Sequence, residues 1–258
     1  MFDKQKFIEE IQTQGYSIVE NVLSDDFIKR AKAELSLAID QEVAYHGNRT
    51  DYNDYGMVLL LALYEGAFVE LFDNPMITEP LNSILGDGSI VYAYTSSSMP
   101  PFKNNFSNRI HVDCPRLIND YITNMGATIL LDDFTEENGA TYFLPYSQNT
   151  PEAPTEEYFK AHAKRLIAKA GTVWFFNARV WHAGGNNNTP NWRHALTINA
   201  CRSFMKQRID IPRAMAHLDT SKYSDNALQK LGFWTQIPSN YDEYYVTAKD
   251  RKFKQKAE

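Results

Sequence analysis

The chain has 258 residues, a net charge of −6 and 43% hydrophobic residues, which is typical of a folded protein with a large core. The negative charge gives no support for nucleic-acid binding. The longest apolar run, MVLLLALY at 57–64, is too short to span a bilayer, and the first residues lack the apolar stretch of a signal peptide. Because Cys114 and Cys201 cannot form a disulfide framework, we expect a cytoplasmic protein in which both are small core residues.

Residues 1–87 carry mainly helical signals. Apolar side chains recur at helical spacing, for example Phe27, Ala31 and Leu35, and Ser24 is a suitable N-cap for the helix that contains them. The pattern predicts helices over 3–15, 23–39, 57–72 and 75–85, and a short strand over 16–22.

Strand signals dominate after the turn Gly86-Asp87-Gly88. Strands are predicted over 89–99, 124–134, 140–145, 171–177 and 193–204. Helices followed by strands predict an α+β fold in which helices buttress a sandwich or barrel. We therefore expect one domain over 1–258, with a helical buttress (1–87), a β core (88–210) and a C-terminal extension (211–258).

The segment NRIHVDCPR (108–116) places His111 and Asp113 two residues apart. In a strand, side chains at this spacing share a face, so Arg109, His111 and Asp113 would all point the same way. Arg109 could face a site there, or it could pair with Asp113 or Asp120 outside it. Polar groups on one face of a strand need solvent, each other or a ligand.

A second polar cluster follows the apolar strand at 173–176. The sequence continues through Trp181-His182 and two glycines to Arg193, which enters another strand. Strand periodicity places Thr197 on the same side as Arg193, whereas His194 should point to the opposite face and have a structural role.

Two histidines and one carboxylate form the facial triad of non-haem Fe(II) oxygenases. His111, Asp113 and His182 are therefore candidate metal ligands that would leave the opposite face of the metal open. An anionic co-substrate bound there would need a buried cation, and an arginine such as Arg193 can grip a carboxylate with two hydrogen bonds.

Four segments, in this order, resemble the phytanoyl-CoA dioxygenase family of Fe(II)/2-oxoglutarate oxygenases. They are GYSIVENVLSDDFIKRAKAEL (15–35), HVD (111–113), LLDDFTEENGATYFLPYSQ (130–148) and GTVWFFNARVWHAGGNNNTPNWRHALTINACR (171–202). The resemblance implies a double-stranded β-helix, or jelly roll, with flanking N-terminal helices. It also implies a catalytic site in which His111, Asp113 and His182 hold Fe(II) and Arg193 binds the distal carboxylate of 2-oxoglutarate.

Further contacts with 2-oxoglutarate are expected from Thr197, Thr128 and Arg109. The reaction that the resemblance implies uses dioxygen and 2-oxoglutarate to hydroxylate or otherwise oxidise a small substrate, with release of succinate and carbon dioxide. Related enzymes that halogenate lack the carboxylate ligand, so Asp113 favours hydroxylation. The polar loops around the expected site favour a small polar metabolite.

Two alternatives remain at this point. One is a cupin-type metal enzyme that does not use 2-oxoglutarate and would not need Arg193, and the other is a jelly roll that binds a small molecule without catalysis. We also expect residues 45–56, which include His46, to form a mobile lid over the pocket. Residues 249–256 are expected to be a solvated terminus.

Overall fold

Residues 2–250, which the computed structural model describes, form two antiparallel sheets with helices around them. The strands are β1 Tyr16–Val19, β2 Ile90–Ser96, β3 Asn124–Leu130, β4 Tyr142–Phe143, β5 Lys164–Arg165, β6 Val173–Asn177, β7 His182–Ala183 and β8 Ala195–Cys201. The larger sheet has the order β1-β6-β3-β8-β2, and the smaller sheet has the order β5-β4-β7.

The helices lie mainly before β2 and after β8. They are α1 Lys4–Thr13, α2 Asp25–Tyr45, α3 Gly66–Glu70, α4 Pro75–Leu85, α5 Glu156–His162, α6 Ile211–Ala214, α7 Asp225–Leu231 and α8 Tyr241–Tyr244. Ser24 caps α2 as predicted, because its hydroxyl accepts a hydrogen bond from the backbone N–H of Phe27. The mixture of helices and antiparallel sheets confirms the predicted α+β class.

One face of the larger sheet is apolar and packs against the helices. Ile129 of β3 and Ile198 of β8 have no exposed surface, and Phe175 of β6 meets Phe7 of α1 with ring centroids 5.4 Å apart. Leu231 of α7 belongs to the same cluster. Residues from the predicted buttress, the β core and the C-terminal extension thus share one hydrophobic core.

The other face of the larger sheet faces the smaller sheet. The rings of Trp174 and Phe176 on β6 stack 4.0 Å apart, and Trp174 contacts Phe143 of β4. Gly126 on β3 lies directly under Phe176, because a Cβ at this position would come within 2.1 Å of the ring. The glycine allows the aromatic ring to lie flat against the strand between the two sheets.

The predicted helix over 57–72 is wrong in its extent. Two short 3-10 helices, Leu61–Tyr64 and Leu71–Asp73, flank α3, and residues 57–60 are not helical. Glu65 and Gly66 have φ values of +54° and +51°, which interrupt any continuous helix. Val58 instead accepts a hydrogen bond from the backbone N–H of Ser96 at the end of β2, so tertiary contact replaces helical pairing.

The strand predicted over 140–145 is only the two residues of β4, and the helix predicted over 23–39 extends to Tyr45. Helices α5 to α8 and strands β5 and β7 were not predicted. Two further 3-10 helices occur, Phe106–Asn108 and Ala248–Asp250. Within residues 2–250, each helix is too short or too polar to cross a membrane. The tail predicted over 249–256 lies mostly outside the described residues.

Candidate metal centre and its cavity

The chain segment around His111 lies at the edge of the smaller sheet. His111 and His182 form an isolated antiparallel bridge, in which each backbone N–H donates to the other's carbonyl at 2.9 Å. Beyond this bridge the segment is a loop, and the backbone N–H of Asp113 is held by the carbonyl of Ala178 at 2.9 Å. The strand assumed for residues 109–113 is therefore wrong, although backbone hydrogen bonds to distant residues still fix the positions of His111 and Asp113.

The structure brings His111, Asp113 and His182 together. One nitrogen or oxygen atom from each side chain lies within 4.8 Å of the others. The Nε2 atom of His111 is 3.5 Å from Oδ1 of Asp113, and the Nε2 atom of His182 is 3.8 Å from the same oxygen. Two imidazoles and a carboxylate at this spacing are a suitable donor set for a divalent transition metal.

Hydrogen bonds orient both imidazole rings. Nδ1 of His111 donates to the carbonyl of Arg109 at 2.8 Å, and Nδ1 of His182 donates to the carbonyl of Val180 at 3.0 Å. When Nδ1 carries the proton of a neutral imidazole, Nε2 presents its lone pair. Both rings therefore aim a ligating nitrogen at the space beside Asp113, as metal-binding histidines commonly do.

The three groups differ in how their surroundings shift the pKa. Burial lowers the pKa of His182 to about 4, and the proximity of His111 adds to the effect. Burial also opposes the charged form of His111, but the contact with Asp113 raises its pKa overall. For Asp113, burial acts against ionisation, but both histidines outweigh it and lower the pKa. The lowered pKa values of Asp113 and His182 favour a carboxylate and a neutral imidazole, the forms that bind a metal, whereas the raised pKa of His111 favours its charged form.

Arg193 is almost fully buried, with 2% of its surface exposed. Its terminal nitrogens donate to the carbonyls of Gly139 at 2.8 Å and Ser97 at 2.6 Å, and its guanidinium lies 4.2 Å from the ring centroid of Phe134. The Nε donor has no hydrogen-bond partner. Among the described residues no carboxylate forms an ion pair with it, and burial lowers its pKa to about 10.

A cavity of about 450 Å³ joins Arg193 to the three candidate ligands. Thr128 of β3 and Thr197 of β8, which are paired in register, line it together with Asn199. The inner face of the larger sheet therefore supplies hydroxyls and an amide, whereas its outer face supplies the core. Thr197 lies on the same side as Arg193, as strand alternation predicts.

Arg109 lines the same cavity but does not pair with an acid. Its guanidinium lies 3.7 Å from the ring centroid of Phe106, and no ion pair with Asp113 or Asp120 occurs among the described residues. Of the two possibilities that the sequence left open, Arg109 facing the cavity is the one the structure has.

His194 and the two cysteines lie away from the cavity. Nδ1 of His194 is hydrogen-bonded to Oγ of Ser98 at 3.0 Å, and its ring stacks on Trp192. Cys114 and Cys201 are buried and unpaired, and burial raises the pKa of Cys201 to about 12. These positions confirm the predicted structural role of His194 and the core location of both thiols.

Residues 45–56, the predicted lid, border the cavity through Asn53 and Asp54. Aromatic contacts hold the segment: the ring of His46 stacks on Tyr52 at 4.1 Å, and Tyr55 meets Trp192 edge to face at 5.5 Å. The location agrees with a lid, and its movement stays a prediction.

Several cavity residues were not predicted from the sequence. These are Met57, Thr95, Thr141 and Arg208, among others. Thr95 could have been found, because it pairs in register with Thr197 on the neighbouring strand and so shares its face. Arg208 has no such signal, since it lies beyond β8 and reaches β2 only through a hydrogen bond to the carbonyl of Tyr92.

Comparison with known proteins agrees with this geometry. The family profile described as phytanoyl-CoA dioxygenase (PhyH) matches residues 11–195. The uncharacterized protein Rv1501 of Mycobacterium tuberculosis is 27% identical over 247 residues, which covers 93% of this chain and 90% of that protein. Dioxygenase trt7 of Aspergillus terreus is 22% identical over 264 residues and covers 94% and 88% of the two chains.

Solved structures share the fold at lower identity. AviO1 from Streptomyces viridochromogenes Tue57 has a TM-score of 0.63 and 20% identity, covering 80% of this chain and 98% of that chain. The non-haem α-ketoglutarate-dependent carbocyclase SnoK from nogalamycin biosynthesis has a TM-score of 0.64 and 18% identity, covering 83% and 90%.

Proposed function

Because the chain belongs to the phytanoyl-CoA dioxygenase family, whose members are Fe(II)- and 2-oxoglutarate-dependent oxygenases, we propose that it hydroxylates or otherwise oxidises a small polar metabolite. Succinate and carbon dioxide are the co-products of this reaction. In the same proposal, the two facing sheets are a double-stranded β-helix, and the likeness to AviO1 and SnoK supports this description.

The observation that carries the proposal is the convergence of His111, Asp113 and His182 on one point of the cavity. Their donor set suits Fe(II), because imidazole and carboxylate are ligands that this borderline-hard ion accepts. The two Nδ1 hydrogen bonds leave both Nε2 atoms free to bind. His111, Asp113 and His182 would hold the metal at the cavity wall, and the cavity beside it would have room for small molecules.

Arg193 supports 2-oxoglutarate as the co-substrate. A buried guanidinium without an acidic partner is costly to leave in a protein interior, and a carboxylate is the anion that its fork of N–H groups matches best. Gly139 and Ser97 hold the side chain in place through their carbonyls and leave Nε without a partner. We assign the distal carboxylate of 2-oxoglutarate to this arginine.

The remaining polar groups of the cavity position the bound molecules. Thr197 donates its hydroxyl hydrogen to Ser97 Oγ at 3.1 Å, so its oxygen can still accept one, and Thr128 lies opposite it on β3. We assign both to contacts with 2-oxoglutarate and Arg109 to the cavity mouth. Bound iron and 2-oxoglutarate would together allow dioxygen to oxidise a C–H bond of the substrate. The aromatic floor of Trp174 and Phe176 excludes water from that chemistry.

Arg193 also separates this proposal from its alternatives. A cupin-type enzyme that does not use 2-oxoglutarate has no need of a buried cation near the metal. A protein that only binds a small molecule has no need of three potential metal-ligating side chains with free donor atoms. Two independent features of this cavity, the three candidate metal ligands and Arg193, therefore support the oxygenase proposal.

An anaerobic titration tests the proposal directly. Fe(II) is added to the metal-free protein and then 2-oxoglutarate, while the visible absorption is followed. We expect a weak charge-transfer band that appears only when both are present. Iron binding without any effect of 2-oxoglutarate would support the cupin-type alternative, and the absence of iron binding would contradict both enzyme hypotheses.

A further inference from the structure

A second, open groove of about 600 Å³ adjoins the metal cavity. Asn53 and Phe106 line both, so the groove leads outward from the site already described. Three separate parts of the chain form it, namely residues 50–55, 102–108 and 186–188. Its lining contains seven asparagines and four aromatic side chains, among them Asn53, Asn188, Phe102 and Phe106.

Two of these asparagines are buried and hold the groove in shape. Asn105 donates to the carbonyl of Ser98 at 2.9 Å and accepts from the hydroxyl of Ser107 at 2.8 Å. Asn187 is fully buried and donates to the carbonyls of Pro100 and Asn191. Because their hydrogen bonds go to backbone and neighbouring hydroxyls, they give the groove a preorganised floor.

The rim amides, in contrast, are available. The side chains of Asn53, Asn108 and Asn188 are exposed and make no hydrogen bond within residues 2–250. Each carboxamide offers both donors and an acceptor. Such groups can bond two adjacent hydroxyls of a ligand, because each hydroxyl also donates and accepts.

Aromatic surface accompanies these amides. Phe102 has 67% of its surface exposed and Phe106 has 45%. Phe102 also has a φ of +53°, a conformation that is strained for a bulky residue and that glycine adopts freely. Neither burial nor backbone preference explains a phenylalanine at position 102. Contact with an apolar ring face of a ligand would explain it.

The groove has little free charge. Asp51 is paired with Arg49 at 2.8 Å, and Nζ of Lys103 donates to the carbonyl of Thr50 and lies 5.0 Å from the centroid of the Tyr55 ring. Asp51 and Lys103 are the only charged residues lining it within the described part of the chain. An anionic ligand has no cluster of cations to bind, so the chemistry of the groove matches a neutral, polar one.

From this combination we infer that the groove is an outer substrate subsite for a sugar ring. The vicinal hydroxyls of a pyranose bond the rim amides, and its C–H face packs on Phe102 and Phe106. As a statement about substrate the inference rests on the proposed function, and it narrows the small polar metabolite to a polyhydroxylated, glycoside-like molecule. The sugar lies outside, while the part to be oxidised reaches the metal past Asn53 and Phe106.

Saturation-transfer NMR with simple probes tests the inference. The probes are methyl α-D-glucopyranoside, methyl α-D-mannopyranoside, methyl β-D-galactopyranoside and maltose, with cyclohexanol as a ring without vicinal hydroxyls and inorganic phosphate as an anion. We expect saturation transfer to at least one of the sugars and weaker or no transfer to cyclohexanol, with no displacement by phosphate. Equal binding of cyclohexanol, displacement by phosphate, or no binding of any of the four sugars would overturn the inference.

Two variants locate the binding in the groove. Phe102→Gly removes the ring and suits the positive φ, so the melting temperature should not fall while sugar affinity falls roughly three- to tenfold. Tyr146→Gly is its matched control, because Tyr146 is an equally exposed aromatic residue with a φ of +64° outside the groove.

Asn188→Ala should weaken sugar binding by roughly two- to tenfold, the effect of one net hydrogen bond. Asn226→Ala, at an exposed asparagine of α7, is the control and should have no effect. Unchanged sugar affinity in both Phe102→Gly and Asn188→Ala would overturn the assignment of the groove.

The measurements are made on metal-free protein and repeated with Zn(II), which is diamagnetic, and 2-oxoglutarate, so the two hypotheses fail separately. Sugar binding without any 2-oxoglutarate binding would leave the groove assignment standing and contradict the oxygenase. Binding of 2-oxoglutarate without binding of any sugar would contradict the groove assignment and leave the oxygenase proposal standing.

Discussion

The two faces of the larger sheet are built from the same strands and have opposite roles. On the outer face, Ile129 and Ile198 are fully buried against helices and have no polar contacts to make. On the inner face, Thr128 and Thr197 line the cavity one residue away from those isoleucines. Since strand side chains alternate, one strand can serve stability on one side and binding on the other. We therefore expect substitutions on the two faces to have separable effects.

The largest effect is expected at His182, the proposed metal ligand next to the inner face. His182→Ala removes a nitrogen donor, so Fe(II) affinity should fall greatly and oxidation of the substrate should be lost. Fe(II) binding is measured anaerobically by titration, and turnover by succinate release. His162→Ala, at an exposed histidine of α5, is the matched control. Full activity in His182→Ala would show that the ligand assignment is wrong.

The next largest effect is expected at Arg193. Arg193→Leu should cost about 3–5 kcal/mol of 2-oxoglutarate binding, because the distal carboxylate would be buried without its partner. This corresponds to roughly two to four powers of ten in affinity. Arg193→Lys should recover only part, since an ammonium cannot make paired contacts. Fe(II) affinity should barely change, and equal 2-oxoglutarate affinity in all three proteins would contradict the co-substrate assignment.

A crossed pair of variants tests the two faces of β8 directly. Ile198→Ala should lower the free energy of unfolding by about 2–5 kcal/mol and leave 2-oxoglutarate affinity near that of the wild type. Thr197→Val keeps the shape and removes a hydroxyl, so it should weaken 2-oxoglutarate binding by about 0.5–1.5 kcal/mol with a smaller effect on stability. Denaturant unfolding and isothermal titration measure the two quantities. If both variants lose stability and binding equally, the faces are not separable.

A pH effect sharpens the same comparison just before β8, where Arg193 faces the cavity and His194 does not. Burial lowers the pKa of His194 to about 4 from 6.5. Because the unfolded chain takes up this proton at a higher pH, stability should fall as pH decreases from about 6.5 towards 4. The slope of unfolding free energy against pH should be smaller in His194→Gln. An unchanged slope would show that this histidine titrates normally in the folded protein.

The smallest effect is expected at the predicted lid, residues 45–56, which borders the cavity through Asn53 and Asp54. We expect limited proteolysis in this segment to slow several-fold when metal, 2-oxoglutarate and substrate are bound, as loops over water-excluded sites close on their ligands. Cleavage at the same rate in free and liganded protein would contradict a closing lid.

Much of the site could be predicted because it depends on local patterns. The apolar run from Val173 to Phe176 predicts a buried strand, and the inner position of Thr197 follows from the two-residue period that starts at Arg193. The order of His111, Asp113, His182 and Arg193 is a property of the sequence alone. Those residue types also limit the chemistry to a small set of metal sites.

The tertiary structure decided what depends on contacts between distant segments. The bridge that joins His111 to His182, and the carbonyls of Gly139 and Ser97 that hold Arg193, come from backbone atoms, which carry no sequence signal. The apolar run at 57–72 has a helical pattern, but hydrogen bonding to the edge of β2 and two positive φ values interrupt it.

The asparagine-lined groove is the clearest example of a feature that the sequence alone could not predict. Its residues belong to separate polar loops along the chain, one of them within the predicted lid, and they become one surface only where residues 50–55, 102–108 and 186–188 meet. The sequence by itself determined the strand faces and the reactive residue types, because these depend on local periodicity. Which loops converge, and hence what the mouth of the site can bind, was decided by the folded chain, because convergence depends on long-range packing.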